Sequence, residues 1–116
     1  MKFYDEEQMS DVREALEKVI LRWPRVTAKQ MMGCLCYFSE KKFFAFLVTR
    51  GIVLTKLAEK ERTVLLEEVG GKAFEMSGRI AKTWIRIPLK EPRDVRLILP
   101  FVEASYKAAS RGSKKS

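Results

Sequence analysis

The chain has 116 residues, 47% of them hydrophobic and 33% charged, with a net charge of +8. That length suits one domain, which can bury a core without disulfides or metal, and the composition excludes a disordered chain. No apolar run reaches the length of a membrane span, which excludes a helical transmembrane protein.

The first residues, Met1 to Glu7, are acidic where a secretory signal is basic and then apolar, so a cytoplasmic protein is expected. The charge is unevenly placed. Residues 1–22 hold six acids and four bases, and residues 23–116 hold nine acids and nineteen bases. Such an excess favours polyanionic partners.

Asp5 to about Arg22 carries Met9, Val12, Leu16, Val19, Ile20 and Trp23 at helical spacing. Asp5 suits an N-cap with Gln8 closing a capping box, Tyr4 and Met9 suit a hydrophobic staple, and Pro24 stops the helix. Ser10 or Asp11 is the alternative start. Met31 to Phe38, Phe43 to Val48 and Ile52 to Leu57 read as three strands joined by the turns Ser39–Lys42 and Arg50-Gly51. The first two are apolar on both faces and belong in the sheet centre; the inward face of the third is undecided. Glu59 to Val69 reads as a helix with Val64, Leu65 and Val69 inward, ended by Gly70-Gly71. Lys72 to Gly78 is irregular or a short strand, and Ala81 to Ile87 is a clearer one. Pro92 suits the first turn of a last helix reaching about Ala109, buried through Val95, Ile98, Leu99, Val102 and Tyr106. Pro100 should kink that helix or shift its start.

The expected fold is therefore α+β, in the order α-β-β-β-α-β-α. It is a single domain over residues 1–109, with an antiparallel sheet covered by helices on one face and a disordered basic tail over 110–116.

No catalytic set is apparent. Without histidine the commonest general base and metal ligand is missing, and no phosphate loop or nucleophile elbow is present. Cys34 and Cys36 are two thiols where a zinc site needs four ligands; they suit a Cu(I) or redox pair, or two small buried strand residues. Glu67, Glu68 and Glu75 read either as a carboxylate site or as a solvated face with local ion pairs. No cofactor, metal or small-molecule substrate is expected. Tyr37, Phe38, Phe43, Phe44 and Phe46 line a pocket or form core, and a sheet face left open would need a partner or a second copy.

The sharpest constellation is the strand around Trp84. Period-two alternation puts Lys82, Trp84 and Arg86 on one face, with Arg79, Lys90, Arg93 and Arg96 close in sequence. An aromatic between cations suits base stacking with flanking phosphate contacts, or else an indole covering the core edge under cationic stems. The candidate nucleic-acid contacts are Arg79, Lys82, Trp84, Arg86, Arg93 and Arg96.

The runs Met31-Met32-Gly33-Cys34-Leu35-Cys36-Tyr37-Phe38, Lys42-Phe43-Phe44-Ala45-Phe46 and Leu54-Thr55-Lys56-Leu57, in that order and spacing, resemble the TfoX N-terminal domain family, which is similar to the YjbR-like proteins. Gly71-Lys72-Ala73-Phe74-Glu75-Met76 and Trp84-Ile85-Arg86-Ile87-Pro88 extend the resemblance from about Val26 to the last helix. Met32 departs from the family's usual Phe, and Cys34 from a common second Gly. The helix-rich C-terminal domain of full-length competence regulators has no counterpart in these residues. The resemblance implies the fold and a regulatory role, and supplies no catalytic residues. The expected function is a non-enzymatic regulatory or binding domain associated with nucleic acid; the alternative is a protein-interaction module that homodimerises through an open sheet face.

Overall fold

The computed structural model describes residues 5–31, 33–76 and 78–112. Tyr4, Met32 and the tail from Ser113 lie outside the described residues. The elements are α1 (Glu6–Ile20), β1 (Val26–Met31), β2 (Cys34–Ser39), β3 (Lys42–Val48), β4 (Gly51–Leu54), α2 (Glu59–Glu68), β5 (Lys72–Met76), β6 (Arg79–Pro88) and α3 (Asp94–Gly112). The six strands form one antiparallel sheet in the order β1-β2-β3-β4-β6-β5. The α+β class and the expected order hold, with two strands added. β1 precedes the three expected strands, and the segment from Lys72, irregular or a short strand by its sequence, is β5.

Asp5 caps α1 by accepting from the Glu7 N–H at 3.0 Å, while Gln8 Nε2 donates to its other carboxylate oxygen at 3.1 Å. The helix stops at Ile20, ahead of Pro24, and its end is tied to α3: Trp23 and Tyr106 pack at 4.9 Å, and the Tyr106 hydroxyl donates to the Pro24 carbonyl. The α2 C-terminus closes as its glycines suggest. Gly70 takes φ +77°, and the Gly71 N–H reaches back to the Leu65 carbonyl at 2.8 Å.

All three helices lie on one face of the sheet. Met9, Val12, Leu16 and Ile20 of α1, Leu65 of α2, and Val95, Ile98, Val102 and Ala109 of α3 bury against Leu35, Tyr37, Leu47, Ile52, Leu54, Ile85 and Ile87. The strand from Ile52 thus turns Ile52 and Leu54 to the helices and Val53 to the other side.

A bulge lies between Tyr37↔Ala45 and Phe38↔Phe43, leaving Phe44 without a partner on β2. Phe44 and Ala45 therefore both face the helices, and Phe43 shares the other face with Phe46. The aromatic group of the central strands divides: Tyr37 and Phe44 join the helix-side core, and Phe38, Phe43 and Phe46 the opposite one. The carbonyl of bulged Phe44 accepts from the Thr55 N–H at 3.1 Å and from the Ser105 hydroxyl of α3 at 2.7 Å; Ser105 in turn accepts from the Lys56 N–H.

Two expectations at α3 are corrected. Asp94, not Pro92, begins the helix, and its carboxylate accepts the N–H groups of Lys90 and Glu91, which hold it below its usual range. The helix also runs three residues past Ala109 to Gly112, because Ser110 Oγ meets Ser39 Oγ at 2.7 Å and anchors that turn. The helix is continuous through Pro100, which sits on its exposed side. Among the described residues no helix is long and apolar enough to cross a membrane.

Candidate nucleic-acid interface

The face turned away from the helices closes on itself. Phe74 of β5 stands three strands from Phe46 of β3, a separation of roughly 14 Å on a flat sheet. Their ring centroids are 5.2 Å apart, nearly perpendicular. The sheet therefore curls. Its hinge is legible in the register: Ala73 pairs with Ile85 but Phe74 pairs with Ala81, so Lys82, Thr83 and Trp84 have no partner on β5. Only Ile85 to Pro88 pair with β4, so the outer part of β6 and the end of β5 form a free arm.

Trp84 lies at the base of that arm. It packs against Phe43 and Phe46 at 5.8 Å each, both edge to face, and against Phe74 at 6.3 Å. With Cys34, Cys36, Val48 and Val53 these rings make a second core with no helix over it. Cys36, Phe46, Val48, Val53 and Phe74 are each at most 5% exposed within the single chain. Among the described residues, the large apolar side chains that do reach solvent, Leu21, Leu66, Ile80 and Leu97, belong to different segments of the chain.

Of the six candidate contacts, Arg79, Lys82, Trp84 and Arg86 belong to β6, with Trp84 half-buried and the three cations exposed. Arg86 is exposed but held: its Nη2 donates to the Thr49 carbonyl at 3.0 Å. Its guanidinium passes over Gly51, where a Cβ would meet Arg86 Nε at 3.2 Å and the Ile87 carbonyl at 3.1 Å. Arg93 and Arg96 are brought elsewhere. They line a groove of about 550 Å³ between α1 and α3, with Lys18 at its rim and Ala15, Val19, Val95 and Leu99 in its walls. That groove is on the helix side of the sheet, so the candidate set is split between two faces. Arg93 is also paired with Glu91 at 2.7 Å.

Two basic residues were missed. Lys29, Cys36, Phe46, Val53, Arg86 and Lys72 form one cross-sheet row by direct pairing, so both lysines flank the aromatic core on the same face as Arg86. Reading Lys72 to Met76 as a strand beside β6 would have found Lys72; Lys29 lies on the unforeseen β1. Among the described residues, Lys72, Arg79, Lys82 and Arg86 form no ion pair.

The thiols are free and buried. Burial pushes both up, and for Cys36, with the neighbouring Cys34 adding to it, the value rises to about 11. Glu67, Glu68 and Glu75 are exposed, and no group of three or more metal-ligating side chains occurs among the described residues. A thiol held neutral above its unfolded value of about 9 contributes stability that is complete below pH 9. That contribution is lost as pH rises to about 11, because the unfolded chain releases its proton first. Urea melts at pH 8, 9, 10 and 11 should show stability falling across that window, and Cys36→Ser should flatten the fall.

Searches against family models, curated proteins and solved structures find no match for this chain.

Proposed function

We propose that this is a non-catalytic binding domain of the kind its resemblance to the TfoX N-terminal domain implies, and that its partner is nucleic acid, held by the outer surface of the β5–β6 arm. One observation carries the reading: Lys72, Arg79, Lys82 and Arg86 stand exposed on a single strand pair, and among the described residues none forms an ion pair with an acid. Like charges so gathered repel, and a phosphate backbone relieves the repulsion while releasing its own counterions. Arg79, Lys82 and Arg86 track the backbone, and the half-buried indole of Trp84 supplies the rigid floor between them. Arg93 and Arg96, on the other face, take no part in this contact.

The test is a titration of the domain against labelled single-stranded and duplex DNA of equal length at low ionic strength. Saturable binding that weakens steeply with salt is expected, with the single strand preferred. Absence of binding at low salt to either form, and to RNA, would overturn the reading.

A further inference from the structure

We propose that the half-open pocket between the end of β3 and the β5–β6 pair is a seat for one phosphate group, with Arg86 and Lys72 as its cationic holds. It goes beyond the nucleic-acid reading and stands without it, since a domain that binds no polynucleotide can still hold a single phosphomonoester there.

The pocket has a volume of about 450 Å³, with Val48, Thr49, Lys72, Phe74, Glu75 and Arg86 in its lining. That space suits a phosphate and a small organic group rather than an extended ligand. Lys72 and Arg86 are direct partners across the antiparallel pair, so their side chains leave the sheet side by side on one face. Like charges in that position destabilise a sheet. On the other side of Arg86 the row continues with Val53 and Phe46, so it contains no acid to offset them. An oxyanion between the two cations turns the repulsion into two charge-assisted bonds.

Arg86 is also prepared for the task. The Thr49 carbonyl takes one N–H of the guanidinium, and Gly51 leaves room for it to lie flat against the strand. The remaining donors keep the planar fork that suits phosphate. A ligand would then lose little side-chain freedom on binding. Val48 and Phe74 are nearly fully buried, so the pocket offers them as walls and not as a stacking surface. Glu75 follows Phe74 on β5, so alternation turns its side chain to the other face and leaves Lys72 and Arg86 as the charged groups of the pocket.

The test uses the full chain and inorganic phosphate, followed through backbone amide resonances. Saturable shifts centred on Thr49, Lys72 and Arg86 are expected. Lys72→Gln, which removes one cation from an exposed strand position, should weaken binding by about tenfold or more. Arg86→Gln should do the same, and Lys60→Gln on α2 should leave the affinity unchanged. A second arm compares 5′-phosphorylated with 5′-hydroxyl single strands as competitors. A stronger phosphorylated strand places the phosphate at a nucleic-acid end, and equal competition assigns the pocket to a free phosphomonoester; either result supports the pocket. Shifts that grow linearly with phosphate and spread over all surface lysines, or an affinity untouched by Lys72→Gln, would overturn it. The phosphate titration contains no nucleic acid, so its failure is separate from failure of the nucleic-acid reading.

Discussion

Trp84→Ala is expected to lower the unfolding free energy by about 3 kcal/mol, the low end of the range for deleting a packed aromatic. The low end applies because the indole is half-buried. It meets three other rings, and those rings come from β3 and β5. Its loss opens a cavity and also removes the main tie that holds the arm against the central strands. Cys34, Cys36 and Phe46 should become accessible with it, so thiol modification should speed up in the variant. Trp84→Phe keeps a ring in place and should recover most of the loss. Urea denaturation of the three proteins decides the matter. A change below about 1 kcal/mol for the alanine variant would mean that the arm does not rest on Trp84.

The second large effect is expected at Ser105, where Ser105→Ala should cost about 2 kcal/mol although it removes one oxygen atom. The residue is fully buried, and its hydroxyl works in both directions: it donates to the Phe44 carbonyl at 2.7 Å and accepts from the Lys56 N–H at 3.0 Å. Phe44 keeps the Thr55 N–H when the hydroxyl is gone. Lys56 keeps nothing equivalent, and an orphaned N–H beside the core costs more than a hydrogen bond contributes. The same hydroxyl ties α3 to the bulge in β3, so the loss should appear locally. Hydrogen exchange at the Lys56 amide should accelerate more than exchange in α1. A variant as stable as the parent, with unchanged exchange at Lys56, would contradict this.

How far the sequence alone reaches depends on what each element answers to. The helices α1 and α3 and the strands β2 and β3 are legible because their own apolar periodicity matches the faces they bury. β1 is not: it is an edge strand, mostly exposed, and Ala28-Lys29-Gln30 favours a helix by intrinsic preference. Its pairing with β2 makes it a strand. The bulge at Phe44 and the offset between β5 and β6 are likewise decided by tertiary packing, and strict alternation cannot foresee either. That is why Lys82, Trp84 and Arg86 stand out from alternation alone, while Lys72 appears as the direct neighbour of Arg86 only once β5 is placed beside β6. Arg93 and Arg96 show the opposite error. They follow β6 closely in the chain, but the segment from Leu89, whose N–H is bound to the Arg50 carbonyl, carries them to the helix side.

The cations of the β5–β6 arm are proposed to meet phosphates. The most direct measurement is the salt dependence of single-strand binding by the parent and by a variant carrying Arg79→Gln, Lys82→Gln and Arg86→Gln together. Each phosphate contact contributes about 0.7 to the slope of log affinity against log salt. A slope shallower by roughly two is expected in the variant, with affinity lost at low salt and the fold retained. An unchanged slope and affinity would contradict this contact.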